Sequence, residues 1–273
     1  MTFTEIRNHV LNKIETTDIN IYPFYNLYVE NIFPNDFYQL LKDRMLYYKY
    51  NENLQDRNWD NPIFMNKKFS LKDINDYEVD MVREVFDDSE IKNAIMKKFY
   101  YGNHLDEMVF NHDLQFVFTD EGRFQRIHTD IPAQFISVNF YMPEDELTEQ
   151  EELDNGTILY DKGLNPCKVS KFIPNSVSFV APHFYSYHGF NTTVKNRNTL
   201  LFFYAQKYLI KRFYDNSKNQ NEEQNPDKFK DVIQWKLSKY RLIEYGSDDL
   251  EFLTKLIKEK SDCKVNTLNG RIE

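Results

Sequence analysis

Cysteine is nearly absent from the 273 residues: only Cys167 and Cys263 occur, too few and too far apart to frame a disulfide-bonded domain. Long apolar runs are absent as well. No segment approaches the roughly 18–20 consecutive apolar residues that a membrane-spanning helix needs. Residues 1–20 carry Glu5, Arg7, Lys13 and Glu15 with no apolar block, so no signal peptide is expected there. Positive charge is in deficit: 34 Lys and Arg against 43 Asp and Glu leave a net charge of −9. That balance disfavours a nucleic-acid partner, whose phosphates need a basic face. No internal repeat is present. What these absences leave is a reduced, cytoplasmic globular protein with no membrane partner.

Aromatic residues are abundant. They make up 16% of the chain, with 23 Phe and 19 Tyr, more ring surface than would stay in water without a core. The length suits one large domain or two small ones. Three textures follow one another. Residues 1–105 mix helical periodicity with short extended pieces. Phe33-Pro34-Asn35-Asp36 starts a helix with Phe37, Leu40 and Leu41 on one face, and Ser89 is expected to cap a second carrying Ile91, Ile95 and Phe99. Residues 106–212 turn to short β runs: Leu114–Thr119, Arg123–His128, Phe135–Met142, Thr157–Tyr160, Ser176–Val180, Tyr185–Phe190 and Asn198–Gln206. Such strands, broken by Gly, Pro, Asn and acidic segments, predict a sandwich or double-sheet jelly roll. Residues 213–273 return to helix: a polar linker at Asn216–Pro226 precedes Ser247-Asp248-Asp249, which caps a run with Leu250, Leu253, Leu256 and Ile257 on one face. The acidic stretch from Glu144 to Asp154 reads as a loop, either a solvated surface or a rim that attracts a cationic substrate.

Six histidines occur. His9, in the first helical stretch, and His112, in a turn-like Asn-His-Asp, suit ordinary surface or core places. His128-Thr129-Asp130 sets a histidine and a carboxylate at i and i+2, which on a strand point to one face and reach one ion. His104-Leu105-Asp106 repeats the pattern after a helix end, without matching strands downstream. His188 lies on a strand sixty residues after His128 (188 − 128 = 60). Two histidines and one carboxylate on neighbouring strands form a facial triad with three adjacent positions open, which suits redox-active iron(II) better than a structural zinc. His183 competes for the third place, but the Ser-x-His-Gly setting and the distance to Arg197 favour His188. Arg197 opens the next strand and shares a face with Thr199. A short hairpin would bring both into the cavity of His188, where arginine can clamp a carboxylate through two bonds and Thr199 can add a hydroxyl.

His128-Thr129-Asp130, His188 and Arg197-Asn198-Thr199 resemble the iron(II)- and 2-oxoglutarate-dependent dioxygenases, in particular the prolyl-hydroxylase-like branch. Gly122-Arg123-Phe124-Gln125-Arg126-Ile127-His128 is similar to that branch's strand before the first ligand. Phe140-Tyr141-Met142-Pro143, the acidic stretch and Asn155-Gly156-Thr157-Ile158-Leu159-Tyr160 resemble its Tyr-Leu-Asn strand and Gly-Gly-x-Leu segment. Phe179 with Ser186-Tyr187-His188 resembles the approach to its second histidine. The likeness covers about residues 110–206. It departs at Asn155, which replaces the first glycine of the usual pair, and at Met142-Pro143, which replaces Leu-Asn.

The resemblance implies an α+β protein with a double-stranded β-helix (jelly-roll) core at 106–212, supporting N-terminal helices within 1–105 and a helical C-terminal extension. It implies iron(II) held by His128, Asp130 and His188. It implies 2-oxoglutarate with its distal carboxylate on Arg197, aided by Tyr141 and with Thr199 at the matching serine/threonine position. Dioxygen and 2-oxoglutarate would be consumed, with release of succinate and carbon dioxide, to hydroxylate an unactivated C–H bond in a peptidyl or small-molecule substrate. Phe124, Phe135, Phe179, Phe184 and Phe190 are candidates for apolar walls. Two other classes use part of this residue set: a jelly-roll binding module without catalysis, and a cupin-type metal enzyme that does not use 2-oxoglutarate and has no need of Arg197.

Overall fold

Helix α1 (Phe3–Thr16) opens on a capping box: Thr2 accepts from the Glu5 amide and Glu5 reaches back to the Thr2 amide. Its Ile6, Val10 and Ile14 fall on one buried stripe. Helix α2 (Asn35–Asn51) follows Pro34 and buries Phe37, Leu41, Met45 and Tyr48. Leu40, which spacing groups with Phe37 and Leu41, lies at the edge of that stripe and is 47% exposed. Helices α3 (Tyr77–Asp87) and α4 (Ser89–Phe99) meet at Asp88. The Asp88 carboxylate accepts from the Glu90 and Ile91 amides at 2.9 and 3.2 Å, so the cap of α4 is Asp88, and Ser89 is the first helical residue. The computed structural model describes residues 1–52, 55–56, 66–99, 108–110, 114–130, 134–182, 186–194 and 196–206. The expected C-terminal linker and helix, His104, His112 and His183 lie outside the described residues, as does Phe184.

Two antiparallel sheets carry the rest. The larger contains β1 (Asn26–Glu30), β2 (Gln55–Asp56), β3 (Asn66–Ser70), β4 (Met108–Phe110), β5 (Gln115–Thr119), β7 (Gln134–Tyr141), β10 (Ser176–Val180) and β12 (Arg197–Gln206). Its order is β1-β10-β7-β12-β5-β3-β2, with β4 beside β12. The smaller sheet orders β6 (Phe124–His128), β11 (His188–Asn191), β8 (Thr157–Tyr160) and β9 (Pro166–Ser170) as β6-β11-β8-β9. Most expected strands appear with ends moved by one or two residues; the one expected at Tyr185–Phe190 is His188–Asn191, and residues 183–185 lie outside the described set. Strands β1 and β3 come from the N-terminal region and extend the larger sheet, so that region supplies strands as well as helices.

Strict alternation gives the larger sheet two unlike faces. Ile136, Val138 and Phe140, Val177 and Phe179, Leu200, Phe202 and Tyr204, and Phe116 and Phe118 join the core beneath helices α1 to α4. The alternate residues are Ser137, Asn139 and Tyr141, Ser176 and Ser178, Arg197 and Thr199, and Thr119. They face the smaller sheet, as Tyr141 shows by donating to Thr157 on β8 at 2.6 Å. Phe179 therefore packs under the helices and forms no wall of the inter-sheet space; its parity along β10 decides this.

Phe86 is fully buried at the centre of the helix-side core, 5.3 Å from both Phe140 and Phe202 by ring centroid and 6.2 Å from Phe33. Phe86→Ala is expected to lower stability by about 3–5 kcal/mol, because the ring's contacts vanish and rigid neighbours cannot refill the space. Urea denaturation followed by circular dichroism measures it; a loss below 1 kcal/mol would contradict this packing.

The acidic stretch is not wholly a loop. Thr148 and Glu151 form a capping box that starts the short helix α5 (Glu149–Asp154). Glu144 turns inward to α2, where Lys49 bonds its carboxylate at 2.7 Å and the Tyr50 hydroxyl donates to the other oxygen. Burial raises the Glu144 pKa, but those bonds and the lysine charge outweigh it and hold the carboxyl below its ordinary value. Among the described residues, no helix is long and apolar enough to cross a membrane.

Candidate active site

Strand β6 ends at His128, which lies directly opposite His188 on β11, with ring centroids 4.4 Å apart. Asp130 falls two residues beyond the strand end, so its approach depends on the chain path past β6 and not on strand alternation. The Nε2 atoms of His128 and His188 each lie 3.7 Å from an Asp130 carboxylate oxygen. One donor atom from each residue fits within 4.8 Å of the others, and among the described residues no other group of three His, Cys, Asp or Glu side chains does so. Donors at these separations surround a point roughly 2 to 2.5 Å from each, the range of metal–nitrogen and metal–oxygen bonds.

The electrostatics suit a cation. His188 Nδ1 lies 2.8 Å from the Ser186 carbonyl, which can only accept; the proton is therefore on Nδ1 and the Nε2 lone pair is free. Burial, then the neighbouring His128, lower the His188 pKa more than Asp130 and the Ser186 carbonyl raise it, which favours neutral imidazole. Burial pushes Asp130 upward, but the adjacent His188 and His128 and a hydrogen bond from Ser137 outweigh it, and the carboxyl sits below its ordinary range. A carboxylate oxygen and two imidazole nitrogens converging in this way could hold a metal ion with further positions left open.

Arg197 forms the second half. Its strand lies in the larger sheet and His188 lies in the smaller one, so the expected hairpin is absent: the chain crosses between sheets after β11. Arg197 is only 2% exposed. Its Nε donates to the Asn155 carbonyl at 2.8 Å and its Nη2 to the Thr157 hydroxyl at 3.2 Å. The guanidinium carbon stands 3.8 Å from the Phe190 ring centroid and 5.6 Å from that of Tyr141. No carboxylate among the described residues pairs with it. Burial lowers its pKa to about 10, which still leaves it charged at neutral pH. Thr199 is opposite Tyr141 in register, so Arg197, Thr199 and Tyr141 share the inter-sheet face.

Phe190 is the one wall candidate seen against this group. Phe124 is 42% exposed, and the side chain of Phe135 lies outside the described set.

Sequence reasoning missed several contributors. Thr157 bridges Tyr141 and Arg197, Ser137 supports Asp130, and Gln125 ends 2.8 Å from His128 Nε2. Asn155 is more than a departure from a glycine pair. Its side-chain oxygen accepts from the Thr193 and Val194 amides and its amide donates to the Glu151 carbonyl, which fixes the crossover leading to Arg197. Gly156 is obligatory beside it, because a Cβ there would lie 2.5 Å from the Ser170 carbonyl. Alternation along β7 could have singled out Ser137; the rest depend on contacts between sheets or on a local irregularity.

No protein-family model matches the sequence, and no curated protein matches it. Solved structures do. A prolyl-4-hydroxylase of Pseudomonas putida aligns at 12% identity with a TM-score of 0.53, over 74% of this chain and 100% of that one. A prolyl 4-hydroxylase of Phytophthora capsici aligns at 15% identity with a TM-score of 0.51, over 76% of this chain and 68% of that one. A Trichoplax adhaerens prolyl hydroxylase, solved with a hypoxia-inducible-factor peptide fragment, aligns at 11% identity with a TM-score of 0.50, over 74% and 90%. At these identities the likeness is one of fold: the chain is folded like the prolyl hydroxylases.

Proposed function

We propose that this protein is an iron(II)- and 2-oxoglutarate-dependent dioxygenase that hydroxylates an unactivated C–H bond of a peptidyl residue, amino acid or other small molecule. In this reading the two sheets are the walls of a double-stranded β-helix (jelly-roll) catalytic core at 106–212, supported by 1–105. The observation that carries it is the coexistence of two half-sites on facing sheets. A His-Asp-His group converges on one point, and nearby a buried arginine has no anionic partner among the described residues. His188 and Phe190 are two residues apart on β11, about 7 Å along the strand. Phe190 lies against the Arg197 guanidinium, so a five-carbon dicarboxylate is of the right size to join the two half-sites. The fold shared with prolyl hydroxylases supports the reading.

His128, Asp130 and His188 would hold the metal. Bound iron(II) supplies dioxygen activation, coupled to decarboxylation of 2-oxoglutarate to succinate and carbon dioxide. Arg197 pairs with the distal carboxylate, where low dielectric strengthens a charge-assisted bond, and Tyr141 and Thr199 flank it. The sheets keep water from the reacting atoms. A peptidyl substrate is in keeping with the peptide held by the Trichoplax adhaerens neighbour. We place the protein in the cytoplasm, in keeping with Cys167, which forms no disulfide among the described residues.

Anaerobic titration of metal-free protein with iron(II), then 2-oxoglutarate, tests this. A visible charge-transfer band from the chelate is the expected result. Iron bound without a band would move the protein to a cupin-type metal enzyme; no iron binding would leave a non-catalytic module.

A further inference from the structure

Gln125 and His128 have opposite parity, so an uninterrupted β6 would turn their side chains to opposite faces. The pairing is interrupted. His128 is opposite His188 and Gln125 is opposite Phe190, which sets three steps of β6 against two of β11. This is a β-bulge, a device that re-aims side chains beside sites. His188 and Phe190 share a face, so the bulge puts Gln125 on the face of His128. The carboxamide ends 2.8 Å from His128 Nε2, the same nitrogen that looks toward Asp130. Phe190, the cross-strand partner of Gln125, packs on the Arg197 guanidinium. Gln125 therefore lies on the wall between the two half-sites.

A metal ion on His128 Nε2 takes up that nitrogen's lone pair, which can then accept no hydrogen bond. The carboxamide loses its partner at the moment the metal arrives, in a partly buried place where an unpaired amide is unfavourable. We propose that Gln125 is a co-substrate-binding residue: in the metal-loaded protein its side-chain N–H donates to the chelating end of the 2-oxo acid. This rests on the 2-oxoglutarate reading of the site. It gives the metal-free protein a stand-in contact that co-substrate replaces, and it assigns the bulge a purpose. A hydrogen bond to a charged oxygen of this kind corresponds to roughly tenfold or more in affinity.

The test compares full-length wild type, Gln125→Met (same length, no donor) and Gln125→Ala, all anaerobic. Iron(II) affinity is measured by competition with a chelating dye, 2-oxoglutarate affinity by the charge-transfer band, and the band maximum is recorded. The expected result for both variants is iron(II) affinity within twofold of wild type, 2-oxoglutarate bound roughly tenfold more weakly, and a shifted maximum. Should one variant fail to fold, the other carries the same measurement. Unchanged 2-oxoglutarate affinity and band position would overturn the assignment. So would a parallel loss of iron(II) affinity, which would make Gln125 a support for His128. A wild-type protein that binds iron(II) without any band would instead overturn the functional reading, and this assignment with it.

Discussion

Asp130→Ala is expected to weaken iron(II) binding by about a hundredfold or more, since even partners of metal ligands are worth about 10–100-fold. Asp130 supplies the carboxylate of the group; without it two imidazoles face the ion alone. The carboxylate is kept ionised by His188, His128 and Ser137 despite burial, so it meets a cation without first losing a proton. Asp130→Asn keeps the shape and removes the charge, and should lose nearly as much. Calorimetric titration with iron(II) or a less oxidisable divalent ion gives the affinity directly. A thermal melt gives an independent readout: metal should raise the wild-type midpoint, and leave the Ala variant where it was. Wild-type metal affinity in the Ala variant would remove Asp130 from the site.

The second large effect has opposite signs for binding and for stability. Arg197→Met is expected to weaken 2-oxoglutarate binding by about a hundredfold or more, the usual consequence of removing one partner from a buried, hydrogen-bonded charge pair. Iron(II) affinity should stay within a factor of about two, because Arg197 belongs to the other half-site. Stability should change little or rise. A buried guanidinium without a carboxylate carries an uncompensated desolvation cost, and methionine fills much of the same space between Phe190 and Tyr141. Against that stand two lost hydrogen bonds, to Asn155 and Thr157. Arg197→Lys keeps the charge without the planar fork and should fall between the two. Band titration and urea denaturation of the same samples measure both quantities. A variant with wild-type 2-oxoglutarate affinity would contradict the clamp; one that unfolds would show that Arg197 serves the fold first.

The sequence was most informative where one residue's chemistry is scarce. With six histidines in the chain, a His-x-Asp on a strand and a later strand histidine can be weighed one by one, and the structure brings those three side chains together. Alternation was equally legible: the β runs of residues 106–206 reappear with small shifts at their ends, because alternating burial depends on local spacing. Strands β1, β3 and β9 were not singled out. Gln55–Asp56, Asn66–Ser70 and Pro166–Ser170 are mostly polar, and they become strands through the edges they meet.

By itself, then, the order of residues singled out the candidate donors, the arginine and the two-faced character of the β runs, since these follow from side-chain chemistry and a period of two, although Asp130 itself lies beyond the end of β6. Tertiary structure decided what those residues face. Pairing between β6 and β11 set His128 opposite His188 and, through one bulge, turned Gln125 to the same side against its parity. The crossover pinned by Asn155 carried Arg197 to the opposite sheet and onto Phe190. Such placements depend on register and on contacts between distant segments, where a shift of one residue reverses a side chain's face.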